Sequence, residues 1–225
     1  MSLQRSTETC RAALILPLLI ALLAMAGCAD LGLTKSPTAG RQSPGPATAR
    51  ASRGMLRSIP SDVLTMFERA TAAMAAGDFA EAEFGFKELV LLYPEYPGAY
   101  VNLAIIHANN ENDAATRAAI DAALALDAKH PAALNQLGML LRRNGKFPEA
   151  EAAYLKAVTV SPDYALAHYN LGVLYELYLQ RLDAALQQFE AYQSLVGEDK
   201  QVAKWITDLR RRVAREQRTA SVVDG

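Results

Sequence analysis

Cysteine, histidine and tryptophan are scarce in this chain of 225 residues, which contains two, three and one of them respectively. Both cysteines, Cys10 and Cys28, lie near the start of the chain. A disulfide framework, which many small secreted domains use for stability, is therefore excluded for the rest of the sequence. We expect whatever folds beyond Cys28 to be stabilised by packing alone.

The three histidines do not form a metal-binding or catalytic pattern. None of His107, His130 and His168 has a second histidine or cysteine three or four residues further on, as a helical zinc site requires. The sequence also lacks a serine-centred nucleophile elbow, a P-loop and a glycine-rich phosphate turn. These absences predict a protein that is not an enzyme and that holds no metal and no small-molecule substrate.

An excess of one sign of charge is also missing, since the formal net charge is −1. This balance gives no basis for nucleic-acid binding by the whole chain. The charge is unevenly distributed, however. Residues 62–196 carry 17 acidic and 9 basic side chains, whereas residues 198–218 carry 4 acidic and 7 basic ones. The centre of the chain is therefore acidic and its C-terminal flank is basic.

The apolar run at residues 12–27 is too short for a permanent transmembrane helix. It has 16 residues and contains Pro17, whereas a spanning helix needs about 20 apolar residues. Arg5 and Arg11 precede it, and a basic segment followed by a short apolar one is the layout of a secretory signal peptide. One interpretation is an ordinary signal peptide whose cleavage leaves Cys28 as an incidental thiol.

The end of this run carries a more specific pattern. Met25, Ala26, Gly27 and Cys28 resemble the lipobox of bacterial lipoproteins, with Met25 in place of the more usual leucine. The resemblance implies a signal peptide over residues 1–27, cleavage before Cys28, and acyl chains on the thiol and the new amino group of Cys28. Several acyl chains on one residue anchor a chain stably. This covalent lipid is the only added group that we expect; no cofactor is predicted.

The residue after the lipidated cysteine indicates whether a lipoprotein stays at the inner membrane or is sorted to the outer membrane. By resemblance to well-studied bacterial lipoproteins, an aspartate in that position retains a protein at the inner membrane. Here the position holds Ala29, and Asp30 comes one residue later. The outer membrane, with the protein facing the periplasm, is therefore favoured over the inner membrane.

Residues 28–60 form the predicted tether. The segment is rich in proline, glycine, serine, threonine and alanine and has no apolar period, so it cannot bury enough surface to offset its chain entropy. As a random coil, a linker of this length has an end-to-end distance on the order of 30 Å. Its basic residues either contact anionic lipid headgroups or keep the linker soluble.

A period of 34 residues organises most of the remaining chain. The units span residues 63–96, 97–130, 131–164 and 165–198. The third unit shows the pattern most completely, at Leu134, Leu137, Gly138, Leu141, Gly145, Ala150, Tyr154, Ala157 and Pro162. Small residues in this pattern let two helices approach closely, and the final proline ends the second helix. The second half of the fourth unit is displaced by one residue, which predicts a longer loop over residues 177–183.

This pattern resembles the tetratricopeptide repeat (TPR). The resemblance implies an all-α, right-handed superhelical solenoid of about four helix-turn-helix repeats within residues 61–196. A predicted capping helix over residues 199–218 follows, with a single apolar face formed by Val202, Trp205, Ile206, Leu209 and Val213. Its arginines either complement the helix dipole or dock on an acidic partner or a membrane. Residues 219–225 are predicted to be a disordered tail.

The resemblance also implies a partner-binding surface, the concave groove lined by the first helix of each unit. Carried onto this sequence, the predicted groove residues are Phe67, Val101, Asn102, Ile105, Asn135, Met139, Arg142, Tyr169, Asn170 and Val173. The lysine and asparagine with which chaperone-binding members clamp a terminal carboxylate are absent. The groove therefore favours an apolar segment of a partner, with Arg142 and Arg143 pairing with an acid beside it. Alternatively, the terminal helix fills the concave side.

Together these features predict a membrane-anchored scaffold of the bacterial envelope, whose partners are envelope proteins or peptides. Its organisation is similar to that of the TPR lipoproteins that assemble type IV or Flp-type pili and secretin channels, and to others that serve cell-wall enzymes. The alternative is a structural lipoprotein that contacts peptidoglycan or anionic lipid through the basic tether and C-terminal helix. Whether the array forms homo-oligomers is left open.

Overall fold

The computed structural model describes residues 59–223, with side chains as far as residue 219. These residues form a π-helical turn (Tyr175–Leu179) and the following helices: α1 (Ser61–Ala75), α2 (Phe79–Leu92), α3 (Pro97–Asn109), α4 (Asp113–Leu126), α5 (Pro131–Arg143), α6 (Phe147–Val160), α7 (Ala165–Leu174), α8 (Leu182–Val196) and α9 (Lys200–Val223). None of these helices combines the length and the apolar character needed to cross a membrane. The predicted signal peptide, Cys28 and the tether as far as residue 58 lie outside the described residues.

The helices pack in consecutive pairs: α1 with α2, α3 with α4, α5 with α6, and α7 with α8. One residue with a positive φ stands in the turn of each pair, and these residues are Gly77 (81°), Glu111 (56°), Gly145 (72°) and Gln180 (53°). Glycine adopts this conformation without steric cost, whereas glutamate and glutamine are strained there. The same turn therefore recurs in all four pairs, and this recurrence is the structural form of the 34-residue period.

The extra residue of the fourth unit lengthens the first helix of the pair and not the loop predicted over residues 177–183. In the third pair the Lys146 amide donates to the Leu141 carbonyl (2.9 Å), five residues earlier. In the fourth pair the Arg181 amide donates to the Tyr175 carbonyl (2.9 Å), six residues earlier. The additional residue is thus taken up in a wider, π-helical ring that ends at Gln180, so a residue with a positive φ still precedes the second helix of the pair.

Small residues on one helix face large ones on the other, as the repeat pattern predicts. Gly138 packs against the fully buried Tyr154, and a Cβ atom added to Gly138 would lie 2.5 Å from the tyrosine ring. Gly172 faces Phe189 in the same way, with a corresponding distance of 2.9 Å. The two helices of the third and fourth pairs can approach closely because these positions have no side chain.

Helix α9 covers the end of the array, as predicted for a capping helix. The Asp199 side chain accepts hydrogen bonds from the Gln201 and Val202 amides (2.9 and 3.1 Å), which fixes the start of the helix. The buried residues of α9 are Val202, Ile206, Leu209 and Val213. The helix continues to Val223, beyond the end predicted at residue 218, because residues 219–223 include neither glycine nor proline.

Candidate partner-binding groove

The first helices of the four pairs carry all ten residues predicted to line the groove. Helix α5 lies between α3 and α7 and contacts both. The partly exposed groove residues are Phe67, Asn102, Ile105, Met139, Arg142, Tyr169 and Val173. Val101, Asn135 and Asn170 are only 6%, 1% and 7% exposed. The predicted surface therefore divides into residues that a partner could contact and residues that the fold itself covers.

The three buried residues join neighbouring helix pairs. Val101 on α3 belongs to a buried cluster with Ala133 on α5. The Asn170 side-chain amide donates to the Asn135 side-chain oxygen across 3.0 Å, linking α7 to α5. Because a buried amide without a partner destabilises the fold, this bond has a structural role. The sequence predicted that these three residues line the groove. The repeat pattern compares equivalent positions and does not show which side chains contact the next repeat, so it could not reveal their burial.

Asn102 is also engaged within the chain. Its side-chain nitrogen donates to the Gly98 carbonyl, one helical turn earlier (2.9 Å). The Asn135 nitrogen donates weakly to the Met139 sulfur (3.7 Å). The resemblance to the TPR family placed Asn102 and Asn170 among the residues that line the partner-binding groove. In this structure both side chains hydrogen-bond inside the array.

The apolar part of the groove extends over the first three helix pairs. Phe67 on α1 stands edge-on to Phe86, with ring centroids 5.5 Å apart and an interplanar angle of 73°. Ile105 on α3 and Met139 on α5 are each packed against a buried cluster on one side and partly exposed on the other. Apolar surface therefore remains accessible on three successive first helices.

At the fourth pair the groove is covered by α9. The Tyr169 ring lies 5.3 Å from Tyr192, 6.0 Å from Phe189 and 6.0 Å from Trp205 of α9, measured between centroids. Burial in this cluster, together with the negative charge of Asp199, raises the pKa of the Tyr169 hydroxyl. Tyr169 is therefore a contact for the capping helix more than for an external partner.

A second contact ties α9 to the same helical face. Arg212 Nη1 lies 2.8 Å from Glu176 Oε1, in a partly buried ion pair. Val173, one turn before Glu176, packs against the cluster that contains the apolar residues of α9. The alternative in which the terminal helix fills the groove therefore holds for the fourth pair.

Beside the third pair the surface opens into a pocket of about 490 Å³. Its lining includes Met139, Arg142 and Arg143 from α5, Phe147 at the start of α6, and Tyr178 from the π-helical turn. The rings of Phe147 and Tyr178 are 4.9 Å apart. The pocket thus combines a thioether, two aromatic rings and two guanidinium groups.

The two arginines of the pocket differ in their partners. Arg143 Nη1 donates to the Ala108 carbonyl (2.9 Å), and its Nη2 pairs with Asp113. The guanidinium of Arg142 instead lies over the Tyr178 ring, 5.9 Å from its centroid. Arg142 Nη1 is buried and has no hydrogen-bond partner among the described residues. Of the two predicted acid-binding arginines, Arg143 is held by Asp113 and Ala108, whereas Arg142 has a buried donor without a partner among the described residues.

A buried hydroxyl shares the surroundings of this arginine. The Tyr154 hydroxyl also lacks a hydrogen-bond partner within the part of the chain that the structure describes. Burial raises the pKa of Tyr154, while the positive charge of Arg142 acts in the opposite direction. The phenol is therefore neutral at physiological pH, and it does not neutralise the guanidinium.

The π-helical turn that carries Tyr178 is anchored at its other end. The Tyr175 hydroxyl donates to Glu151 Oε1 (3.0 Å), which also pairs with Arg181 Nη1 (2.6 Å). Burial and this hydrogen bond raise the pKa of Tyr175 to about 12. Sequence reasoning did not identify Tyr178 as a groove residue. The one-residue displacement of the fourth unit indicated that the chain differs at this point. That the extra residue forms a π-helical turn depends on the packed structure.

The histidines have structural partners. His168 Nδ1 lies 2.8 Å from Gln188 Oε1, and its Nε2 lies 3.0 Å from the Pro162 carbonyl. His130 Nδ1 accepts from the Ala133 amide (3.3 Å), and burial lowers the pKa of His130. Residues 59–219 contain no group of three or more histidine, cysteine, aspartate or glutamate side chains placed to hold a metal ion.

Comparison with known proteins agrees with this geometry. A family model described as "Tetratricopeptide repeat" matches residues 67–132, and one described as "TPR repeat" matches residues 138–178. The helix pairs are tetratricopeptide repeats. The all-α TPR solenoid predicted from the 34-residue period is thereby confirmed.

Solved TPR structures have the same fold. The chain is similar to pilF of Pseudomonas aeruginosa with a TM-score of 0.61 and 21% identity, over 68% of this chain and 69% of that one. It is similar to TTC0263, a TPR protein of Thermus thermophilus, with a TM-score of 0.58 and 20% identity, over 67% and 82% of the two chains. At these identities the similarity establishes the fold alone.

A curated human protein matches a shorter stretch. Protein O-mannosyl-transferase TMTC2 of Homo sapiens is 40% identical over 57 residues, which cover 25% of this chain and 7% of TMTC2. The chain therefore spans a small fraction of that relative. TPR arrays are generally non-catalytic scaffolds that bind protein partners, and a match of this extent is the size of one to two TPR units.

Two arginines of α9 pair with acidic residues of the TPR array. Arg210 lies 2.7 Å from Glu190 on α8, and Arg212 lies 2.8 Å from Glu176 in the π-helical turn. Arg211 instead pairs with Asp208 within α9 itself (3.0 Å). The surface that best suits a protein partner of this TPR array is the open groove on α1, α3 and α5.

Proposed function

We propose that this protein is a membrane-anchored TPR adaptor of the bacterial envelope that binds apolar segments of protein partners in its concave groove. The observation that carries the proposal is the accessible apolar surface of Phe67, Ile105 and Met139 on three successive first helices. A groove of this kind accepts an extended or helical segment whose apolar side chains are buried on binding. Proteins and peptides of the envelope are the expected partners.

The anchor and location are part of this proposal. The lipobox-like residues 25–28 support lipidation of Cys28, and Ala29 after the cysteine favours the outer membrane with the array facing the periplasm. A tether of about 30 residues then holds the groove away from the lipid surface. The similarity to TPR lipoproteins of pilus, secretion and cell-wall machines supports a role in assembling one of these.

The alternative function, binding of peptidoglycan or anionic lipid by the tether and C-terminal helix, has less support. Arg210, Arg211 and Arg212 of α9, which this function would use, pair with Glu190, Asp208 and Glu176. An anionic polymer would have to replace these carboxylates as partners of the three guanidinium groups. We therefore propose the groove as the functional surface.

The groove is tested by Met139→Glu in cells that express the full chain. A carboxylate at this position makes burial against an apolar segment unfavourable, so we expect a defined protein cross-link of the wild type to disappear. Leu126→Glu is the matched control, because Leu126 is an exposed apolar residue (47%) on the second helix of its pair. An unchanged set of cross-linked partners in Met139→Glu would refute the groove.

The anchor is tested separately by Cys28→Ser. Serine cannot form the thioether to diacylglycerol, so the protein should move from the membrane fraction to the soluble fraction of the envelope. Cys10→Ser is the control, since cleavage before Cys28 removes residue 10. A Cys28→Ser protein that fractionates like the wild type would contradict lipidation.

A further inference from the structure

We propose that the pocket between α5, the start of α6 and the π-helical turn binds a single carboxylate side chain of the protein partner, with Arg142 as its ligand. This inference rests on the proposed function, because the carboxylate belongs to the apolar segment that occupies the groove. It adds the chemistry by which that segment is selected.

The first step of the argument is the unused donor of Arg142. A guanidinium has five N–H donors, and buried donors are nearly always hydrogen-bonded. Arg142 Nη1 is buried without a partner among the described residues, and none of the ion pairs within them includes Arg142. The neighbouring Arg143, by contrast, is held by Asp113 and the Ala108 carbonyl. A bound molecule can therefore supply the acceptor that Arg142 Nη1 lacks.

The second step concerns the surroundings of the guanidinium. Met139, Phe147 and Tyr178 line the same pocket, in which Arg142 is partly buried. An ion pair in such surroundings is stronger than on an open surface, and a planar guanidinium matches the two oxygens of a carboxylate. Tyr178 is 44% exposed, so its ring can turn aside as the carboxylate enters.

The third step is the charge of the surrounding array, which defines the kind of ligand. Residues 62–196 carry 17 acidic and 9 basic side chains, so a polyanion such as a nucleic acid or an anionic membrane is repelled. One carboxylate on a mostly apolar segment meets less of this repulsion and can pair with the guanidinium of Arg142. The occupant is therefore an aspartate or glutamate flanked by apolar residues in a partner protein.

The experiment uses a displayed library of random twelve-residue peptides, each fused at both ends so that no terminal carboxylate is free. The bait is the protein purified in mild detergent from cells that express the full chain. We expect the wild type to enrich peptides with an acidic residue at a fixed position beside apolar ones. Arg142→Gln should enrich apolar peptides without that acid. Arg117→Gln, which removes an exposed arginine paired with Asp121 on α4, should behave like the wild type.

Affinities of one selected peptide then test the contact directly. Removing Arg142, or replacing the acidic residue of the peptide by its amide, should each weaken binding by about tenfold to a hundredfold, the range for a charge-assisted hydrogen bond. The two changes together should weaken binding no more than either alone. The amide peptide makes this test on the folded wild-type protein, whatever the stability of Arg142→Gln.

The outcomes separate the two proposals. A library that yields no enriched peptide contradicts the groove and, with it, the carboxylate site. Enriched apolar peptides that lack an acidic residue, or acidic peptides that bind Arg142→Gln as well as the wild type, overturn the carboxylate site and leave the groove standing.

Discussion

Arg142 and Glu176 hold the same position in the third and fourth repeats, but only Glu176 has an ion-pair partner within the described residues. The difference comes from what lies beside each repeat. Helix α9 follows the fourth repeat and places Arg212 against Glu176 and Trp205 against Tyr169. The third repeat is followed instead by the fourth, whose π-helical turn lines an open pocket beside Arg142. Equivalent positions in a repeat therefore acquire different roles from their neighbours.

The largest expected effect comes from removing the contact that closes the fourth repeat. Trp205→Ala deletes a ring that packs 5.6 Å from Phe189 and 6.0 Å from Tyr169. We expect a loss of about 3 kcal/mol in the free energy of unfolding, measured by urea denaturation. Lys204→Ala, at the adjacent exposed position, is the control. Equal stabilities for the two variants would show that α9 does not close the groove.

The next-largest effect concerns the close contacts between the two helices of the third and of the fourth repeat. A methyl group at residue 138 would lie 2.5 Å from the Tyr154 ring, and one at residue 172 would lie 2.9 Å from Phe189. We expect Gly138→Ala to destabilise by about 2 kcal/mol and Gly172→Ala by about 1 kcal/mol, after the gain in helix propensity from alanine. The reverse order in thermal or urea unfolding would contradict the packing described for these pairs.

A smaller effect concerns the turns of the two repeats. Gln180 has a φ of 53°, where the third repeat has Gly145 at 72°. Gln180→Gly should raise the free energy of unfolding by about 1 kcal/mol, because glycine has no Cβ atom to strain. Gly145→Gln should lower it by a similar amount. If Gln180→Gly destabilises, the turn that follows the π-helical turn differs from the one described.

The smallest effect is a pH dependence at the start of α5. His130 caps this helix, whereas Tyr164 at the same position before α7 provides no side-chain cap. Burial lowers the pKa of His130 in the folded state, so its stabilising contribution is present above the ordinary histidine pKa and is lost as the pH falls. His130→Asn keeps a capping acceptor that does not titrate. Its stability should therefore decline less below pH 6.5 than that of the wild type.

Much of this fold could be predicted from the sequence because a repeat encodes its local contacts. The pairs of small and large residues, such as Gly138 with Tyr154, recur at fixed spacing. This spacing indicates where the two helices of a pair pack closely together. The apolar face of α9 was predictable because its apolar residues follow the period of a helix. The start of α9 was signalled by Asp199, a residue type that caps helices.

The groove was less predictable because it depends on contacts between repeats. The burial of Asn135 and Asn170 results from one side chain meeting another 35 positions away, which no periodicity within a repeat reveals. Tyr178 reaches Arg142 only because an extra residue is absorbed as a π-helical turn. Tyr169 is covered because a helix outside the repeats packs over it.

The most direct test of the open groove is photo-cross-linking in cells that express the full chain. A photoreactive amino acid at position 139, on α5 beside the pocket, should give a discrete adduct with one protein partner. The same amino acid at position 126, exposed on α4, should give none. An adduct at position 126 but not at position 139 would contradict the concave groove as the binding surface.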